Sequence, residues 1–365
     1  MIITLSIIVL FAFSVFAFMQ QPMFGKTPSG KRLERIQQSP NYKKGAFQNI
    51  HHTPVMSEDA NYLKIFKDFF ITQNKNAKPT NKIPTAKTDL LNLVITKDIF
   101  VWFGHSSYFI QIDGKKILVD PVLSGSASPI SFTTKAFQGT DPYLIDEMPE
   151  IDYLFITHDH WDHLDYKTIL KLKPKIKKII CALGIGEHLE YWGFDNSLII
   201  ERDWNETIPL DSGFTAHTIP ARHFSGRGFI RNKTLWTAFV LETPTMKIFM
   251  GGDGGYDTHF VETGNRFGAF DLAILENGQY NKYWKYIHTS PDEVLKAAKD
   301  LHAKHVIPVH SSKFVLGLHA WDEPLKSITA LNGESELSLL TPLIGQQVNL
   351  KDDTYNFGQW WENVS

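Results

Sequence analysis

Tyr153-Leu154-Phe155-Ile156-Thr157-His158-Asp159-His160-Trp161-Asp162-His163-Leu164-Asp165 is an apolar run that ends abruptly in three imidazoles and three carboxylates. The first four residues read as a buried strand. Crowding so many ionisable groups at the end of one is costly unless a positive charge organises them. A divalent metal ion does so. The pattern H-x-H-x-D-H offers imidazoles of the kind Zn²⁺ prefers, and Asp162 with His163 supplies a carboxylate and a further imidazole for a second ion nearby.

Three other residues share that context, an apolar strand or turn followed by a sudden polar side chain. His223 lies in Ile219-Pro220-Ala221-Arg222-His223-Phe224-Ser225-Gly226. Asp253 follows the strand 247–250 inside Gly251-Gly252-Asp253-Gly254-Gly255, and His310 closes Val306-Ile307-Pro308-Val309. Strand ends are where a rigid scaffold presents function. The glycines beside Asp253 permit the close backbone approach that a carboxylate bridging two ions needs. Read singly, each of the three has an ordinary alternative as a core polar or turn residue. Read with the 158–163 string, they extend one ligand set. His188, His259, His302, His305 and His319 fall outside any such spacing and read as structural or surface histidines.

The chain has 365 residues, 43% hydrophobic and 21% charged, with a formal net charge of -2. That balance excludes wholesale disorder and a polytopic membrane protein. It also lacks the basic footprint of a general nucleic-acid binder, so no nucleic-acid partner is expected. Cys181 is the one cysteine, which excludes an intrachain disulfide and a multi-cysteine zinc site; in Ile179-Ile180-Cys181-Ala182 it reads as a small buried hydrophobe.

Residues 1–19 read as a hydrophobic anchor or signal segment, apolar over 2–19 apart from Thr4, Ser6 and Ser14. As a helix rising ~1.5 Å per residue it would just cross a bilayer core. The missing basic n-region and the weak cleavage pattern at Val15 to Ala17 favour a retained anchor over a cleaved signal. Lys26, Lys31, Arg32 and Arg35 follow the segment, which places the catalytic domain in the cytoplasm; export to the periplasm is the alternative. Residues 20–95 read as an extension and linker. Within it Tyr62, Ile65, Phe66, Phe69 and Phe70 make one helical stripe, suited to a core or, with Lys64 and Lys67 opposite, to a lipid surface.

From 96 to 345 the texture changes to short β-rich runs alternating with helices. Asp113-Gly114 suits a type I′ hairpin, and Ser290-Pro291-Asp292-Glu293 marks a capped helix start. The expected class is α+β, with sheets covered by helices. Residues 346–365 remain as a C-terminal tail.

Several of these stretches together carry a resemblance: Gly104-His105 with Asp120-Pro121, the 157–165 string, 221–227, 251–256, 266–273, His288 to Glu293, and 308–312. Over about residues 96–345 the chain resembles metallo-β-lactamase-fold hydrolases. It is most similar to the N-acylphosphatidylethanolamine-hydrolysing phospholipase D group and bacterial relatives that include ascorbate-6-phosphate lactonases. The resemblance implies an αββα sandwich with two Zn²⁺ ions at its rim. His158, His160 and His223 would hold one ion, Asp162, His163 and His310 the other, and Asp253 would bridge them. Asp120 would orient a ligand imidazole, while Trp161 and His288 would contact substrate. Trp161 stands where the phospholipase has a tyrosine, Ser311 where it has a tryptophan, and Gly254 where it has a threonine. The resemblance thus implies a phospholipase D-like phosphodiesterase acting on an N-acylated phosphatidylethanolamine or related phospholipid, with Asp162 and Asp253 at the chemistry and the membrane as partner. A lactonase or other ester hydrolase of the same fold is the alternative, and a non-catalytic membrane-tethered zinc protein the competing class. The helix start at Pro291, next to His288, is expected to be open to a phosphate.

Overall fold

The computed structural model describes residues 2–58, 60–72, 74–333, 337–352 and 357–364. The N-terminal part holds helix α1 (Ile2–Met19), helix α2 (Gly30–Gln37), a small ribbon of β1 (Tyr42–Lys43) and β2 (Ala46–Phe47), and helix α3 (Tyr62–Phe70). Among the described residues no helix is long and apolar enough to cross a membrane. The 18 residues of α1 reach ~27 Å. Its Ile3, Leu5, Ile7, Phe11 and Phe13 are nevertheless all more than half exposed. On α3, Tyr62 is 79% and Phe66 58% exposed and Ile65 is half-buried; the side chains of Phe69 and Phe70 lie outside the described residues.

Beyond this, period-two alternation builds the first sheet. In β3 (Ile99–Trp102), Phe100 and Trp102 enter the central core while Ile99 and Val101 enter an outer one, as opposite faces of a strand must. β4 (Tyr108–Ile112) and β5 (Lys115–Val119) are joined through Asp113 and Gly114, whose φ values of +46° and +75° are those of a type I′ turn. Then come β6 (Ile151–Ile156), helix α4 (Tyr166–Leu172), β7 (Ile176–Ala182), helix α5 (Gly186–Tyr191) and β8 (Ile199–Arg202). β5 to β8 pair in parallel, and the crossovers lay α4 and α5 on the outer face.

The second sheet has the same plan. β9 (Thr207–Pro209), β10 (Thr215–Ile219), β11 (Ala238–Glu242) and β12 (Lys247–Met250) run antiparallel. Helix α6 (His259–Phe267), β13 (Phe270–Glu276), helix α7 (Pro291–Asp300), β14 (Ala303–Val309), helix α8 (Glu323–Asn332) and β15 (Ser338–Leu339) follow. β12 to β15 are parallel. Phe155, Phe239, Met250, Ile274 and Ile307 close the two sheets on each other, while Val294, Leu295 and Ile328 cover the outer face of the second. The architecture is the αββα sandwich.

Its packing does not stop at 95 and 345. Ile36 and Phe47 join the outer core of the first sheet, Ile83 the central core, and Thr85 bridges to Ile344. β16 (Gln347–Asn349) pairs with β3, and Trp360 and Trp361 are buried between the sheets. The supposed tail is therefore an edge strand and a plug. An uncovered edge leaves β3 with unpaired backbone groups, and two indoles carry too much apolar surface to stay in water.

Candidate metal centre

Strand direction gathers the candidate residues. β12, β13 and β14 are parallel, and β10 runs the same way through two antiparallel pairings. The C-terminal ends of β6, β10, β12, β13 and β14 thus deliver His158 to His163, His223, Asp253, Glu276 and His310 to one rim. Two backbone hydrogen bonds lock the turn after β3 to the loop after β14: His105 N donates to Ser311 O (3.0 Å) and His310 N to His105 O (2.9 Å). Both histidines hold positive φ, +52° and +69°, which non-glycine residues rarely adopt. Gly252, at φ +61°, faces Thr157 so closely that a Cβ would lie 2.9 Å from the threonine Cβ.

All seven residues expected to bind metal converge. His158, His160 and His223 form one group; Asp162, His163 and His310 form a second, joined by His105. Within each, the donor atoms lie within 4.8 Å of one another. Asp253 stands between them. Its Oδ2 is 3.1 Å from His163 Nε2 and 3.9 Å from both His158 Nε2 and His223 Nε2, while its Oδ1 is 3.1 Å from His310 Nδ1.

Hydrogen bonding alone does not satisfy this cluster. His160 Nδ1 faces His158 Nε2 at 2.9 Å and His223 Nε2 at 3.2 Å, and one proton can serve only one such pair. His163 Nε2, His310 Nε2 and Asp253 Oδ1 are buried with no hydrogen-bond partner, a costly state for groups of this kind. Burial, then neighbouring imidazoles, holds His158 well below the ordinary histidine range. His223 and His310 fall well below it too, led by burial with His160 and His105 next. Each shift favours the neutral ring, the form that ligates. At His163 burial also acts downward, but Asp253, Asp162 and Asp120 outweigh it and favour positive charge. Orphaned donors, neutral imidazoles and a central carboxylate fit divalent cations.

The support is equally specific. Asp120 Oδ2 accepts from His163 Nδ1 (2.8 Å) and Thr157 Oγ1 (2.6 Å), and Oδ1 from Thr157 N (2.9 Å). His223 Nδ1 donates to Ile287 O (2.9 Å). His105 Nε2 donates to Asp162 Oδ2 (2.8 Å). Asp159 points away from the centre; it accepts from Gly226 N and Thr234 Oγ1 and pairs with His188. His188, read from sequence as structural, is thus one shell from the metal loop.

Sequence reasoning missed His105 and Glu276. His105 was visible as half of Gly104-His105, without a role. Glu276 closes the apolar strand β13 just as His310 follows β14, a signal that was there to find. It lies with Asp253, His288 and His310 in one donor cluster, 2.9 Å from His288 Nδ1. Burial, opposed by His288, pushes its carboxyl up to about 7, and against burial the same pairing with Glu276 raises the His288 imidazole. The helix start at Pro291 is not open to a phosphate: Glu293 accepts from both Ser290 N and Ser290 Oγ, placing a carboxylate where the anion was expected.

Two cavities flank the centre. One of about 580 Å³ is lined by His160, Trp161, Asp162 and apolar residues that include Phe18 and Phe24. The other, about 430 Å³, holds His288 with Arg222, Lys282 and Lys285.

An αββα sandwich with a rim of imidazoles and carboxylates is the architecture of the metallo-β-lactamase fold. The chain belongs to the beta-lactamase superfamily domain family, whose sequence profile matches residues 115–311. It is 33% identical over 329 residues to an uncharacterized protein of Mycobacterium tuberculosis, covering 89% of this chain and 88% of that one. It is 29% identical over 229 residues to the N-acyl-phosphatidylethanolamine-hydrolyzing phospholipase D 1 of Caenorhabditis elegans, covering 59% of this chain and 64% of the relative. Igni18, a metallo hydrolase from the archaeon Ignicoccus hospitalis, shares the fold with a TM-score of 0.53 at 21% identity, covering 69% of this chain and 98% of its own.

Proposed function

We propose that this metallo-hydrolase is a dinuclear zinc phosphodiesterase of phospholipase D type, acting on an N-acylated phosphatidylethanolamine or a related phospholipid at a membrane. The observation that carries the reading is Asp253, set within 4 Å of imidazoles from both donor groups, where one carboxylate can bridge two ions.

His158, His160 and His223 would hold one ion and Asp162, His163 and His310 the other. A divalent pair bound there supplies an acidified water at neutral pH and positive charge facing the oxygens of a phosphodiester. The chain's own residues do the rest. Asp120 fixes the His163 ring and His105 fixes Asp162, so two ligands are oriented before substrate arrives. Asp162, whose carboxyl is held far below its ordinary range by His163 and His105 against the effect of burial, stays an acceptor. His288, with Nδ1 engaged by Glu276, has Nε2 left for a phosphoryl or leaving-group oxygen. The relation to the phospholipase D of Caenorhabditis elegans supports the phosphodiester as substrate class.

The test is direct. The purified chain should carry about two zinc ions and hydrolyse N-acyl phosphatidylethanolamine in vesicles, releasing the N-acylethanolamine and phosphatidic acid. Much faster turnover of soluble lactones or thioesters would replace this substrate assignment, and fewer than two ions after incubation with zinc would remove the dinuclear centre.

A further inference from the structure

We propose that the cavity between the C-terminal end of α1 and the metal-ligand loop is a subsite for the apolar chain of an anionic amphiphile, so that residues 15–24 are part of the substrate pocket. The inference rests on the phosphodiesterase reading and names which part of its substrate this side of the centre would take.

The walls come from two distant parts of the chain. Val15, Phe18, Met19 and Phe24 form one side, Trp161 and Phe224 the other, and His160 and Asp162 mark the inner end. An aromatic series joins the sides: the Phe18 and Phe24 rings meet edge to face at 5.3 Å, and Phe24 meets Trp161 the same way at 5.2 Å. Aromatic walls of this kind bury an alkyl chain well and give a polar group no partner.

The segment that carries these residues is fastened rather than tethered. Trp192 Nε1 donates to Pro22 O (2.7 Å), Arg227 Nε to Met23 O (3.0 Å) and Lys26 N to His188 Nδ1 (2.9 Å). Gly25, at φ +73°, lies so near His188 that a Cβ would be 2.1 Å from its Nδ1. The arm therefore reaches the metal loop through His188 and Asp159.

Charge selects the occupant. The Arg227 guanidinium lies over the Trp161 ring at 3.9 Å; the residue is 4% exposed, and its Nη2 has no hydrogen-bond partner. Arg231, on the same wall, is exposed beside the Phe224 ring. Two cations on an otherwise apolar wall next to the metal ligands suit an anionic head with its chain directed toward α1. Exposed Phe229 continues the apolar surface at the rim, and the exposed apolar side chains of α1 extend it outward, the path along which a lipid chain would enter. Removing residues 1–19 would strip Val15, Phe18 and Met19 from the wall, so the pocket requires the segment to be retained.

The experiment uses the full chain loaded with zinc. Calorimetry measures binding of butyl, hexyl and octyl phosphonate, and bis(p-nitrophenyl) phosphate reports turnover separately. Affinity should rise about tenfold for each pair of methylenes in the wild type and in Phe11→Ser, which alters α1 outside the pocket. In Phe18→Ser/Phe24→Ser that dependence should collapse to within about twofold. Val15→Asp, which leaves the three-ring series in place, should weaken octyl phosphonate far more than butyl. A wild type indifferent to chain length, or a double variant that keeps the full dependence, overturns the subsite. Chain-length dependence without any phosphodiester turnover supports the subsite and overturns the phosphodiesterase reading.

Discussion

Asp120 contacts no other residue of the ligand set than His163, yet both of its oxygens are committed, to His163 and to Thr157. Exchanging it for asparagine puts an amide where three donors, His163 Nδ1, Thr157 Oγ1 and Thr157 N, meet a carboxylate. Asp120→Asn should retain the fold and lose roughly 10–100-fold in metal affinity, measured by competition with a chelator. His288 sits differently, outside the seven expected ligands, paired with Glu276 and 13% exposed. His288→Ala should leave two ions bound and lower kcat/KM on the lipid by roughly 10–100-fold, the size of a lost charge-assisted hydrogen bond; a variant indistinguishable from wild type would take His288 out of the substrate contacts. Asp253→Asn tests the bridge, with no more than one tightly held ion expected by elemental analysis.

At the scale of elements, α2 shows how the extension is held. Arg32 reaches Glu201 through Nε (2.7 Å) and Glu187 and Glu190 through Nη1 (2.9 Å each). Glu187 and Glu201 are nearly buried, so Arg32→Ala strands two carboxylates and should cost about 3 kcal/mol in chemical unfolding. The Arg32, Ser29 and Lys26 contacts hold Glu187 below its ordinary 4.5 although burial acts the other way. A carboxyl depressed in the folded state stabilises above its unfolded pKa and loses that contribution as pH falls through the folded value. The arm should therefore be fully docked at neutral pH and loosen progressively below about pH 4.5. Limited proteolysis at residues 20–40 across that range would register it, and cleavage independent of pH would contradict the linkage.

For the molecule as a whole, one core unites segments far apart in sequence. Trp361 is 1% exposed at the far end of the chain, packed with residues of both sheets. Trp361→Ala should lower stability by about 3–5 kcal/mol, as would be seen in denaturant midpoints; a change within error would mean that the C-terminal plug does not fold with the sandwich. The centre occupies the single rim where both sheets end, so it depends on that closure, and loss of the plug should also weaken metal retention.

The amino-acid sequence by itself determined several strands, among them 153–156 and 247–250, the hairpin at Asp113-Gly114, the capped helix at Pro291 and the metal-ligand string, because each is a local pattern: a period, a turn conformation, a donor spacing. It also marked His223, Asp253 and His310, since an apolar strand ending in a lone polar side chain is legible without partners. Only the tertiary structure decided what those residues meet. His105 acquires a role because β3 ends beside β14, and Glu276 because β13 lies between β12 and β14. The residues after 345 join the core because β3 needs an edge partner, and the residues before 25 reach the metal loop because Gly25 packs against His188. The contact of Lys26 with His188 spans 162 residues, that of Met23 with Arg227 spans 204 and that of His105 with Asp162 spans 57, and no local pattern encodes a partner at such separations; closure of the sandwich supplies it.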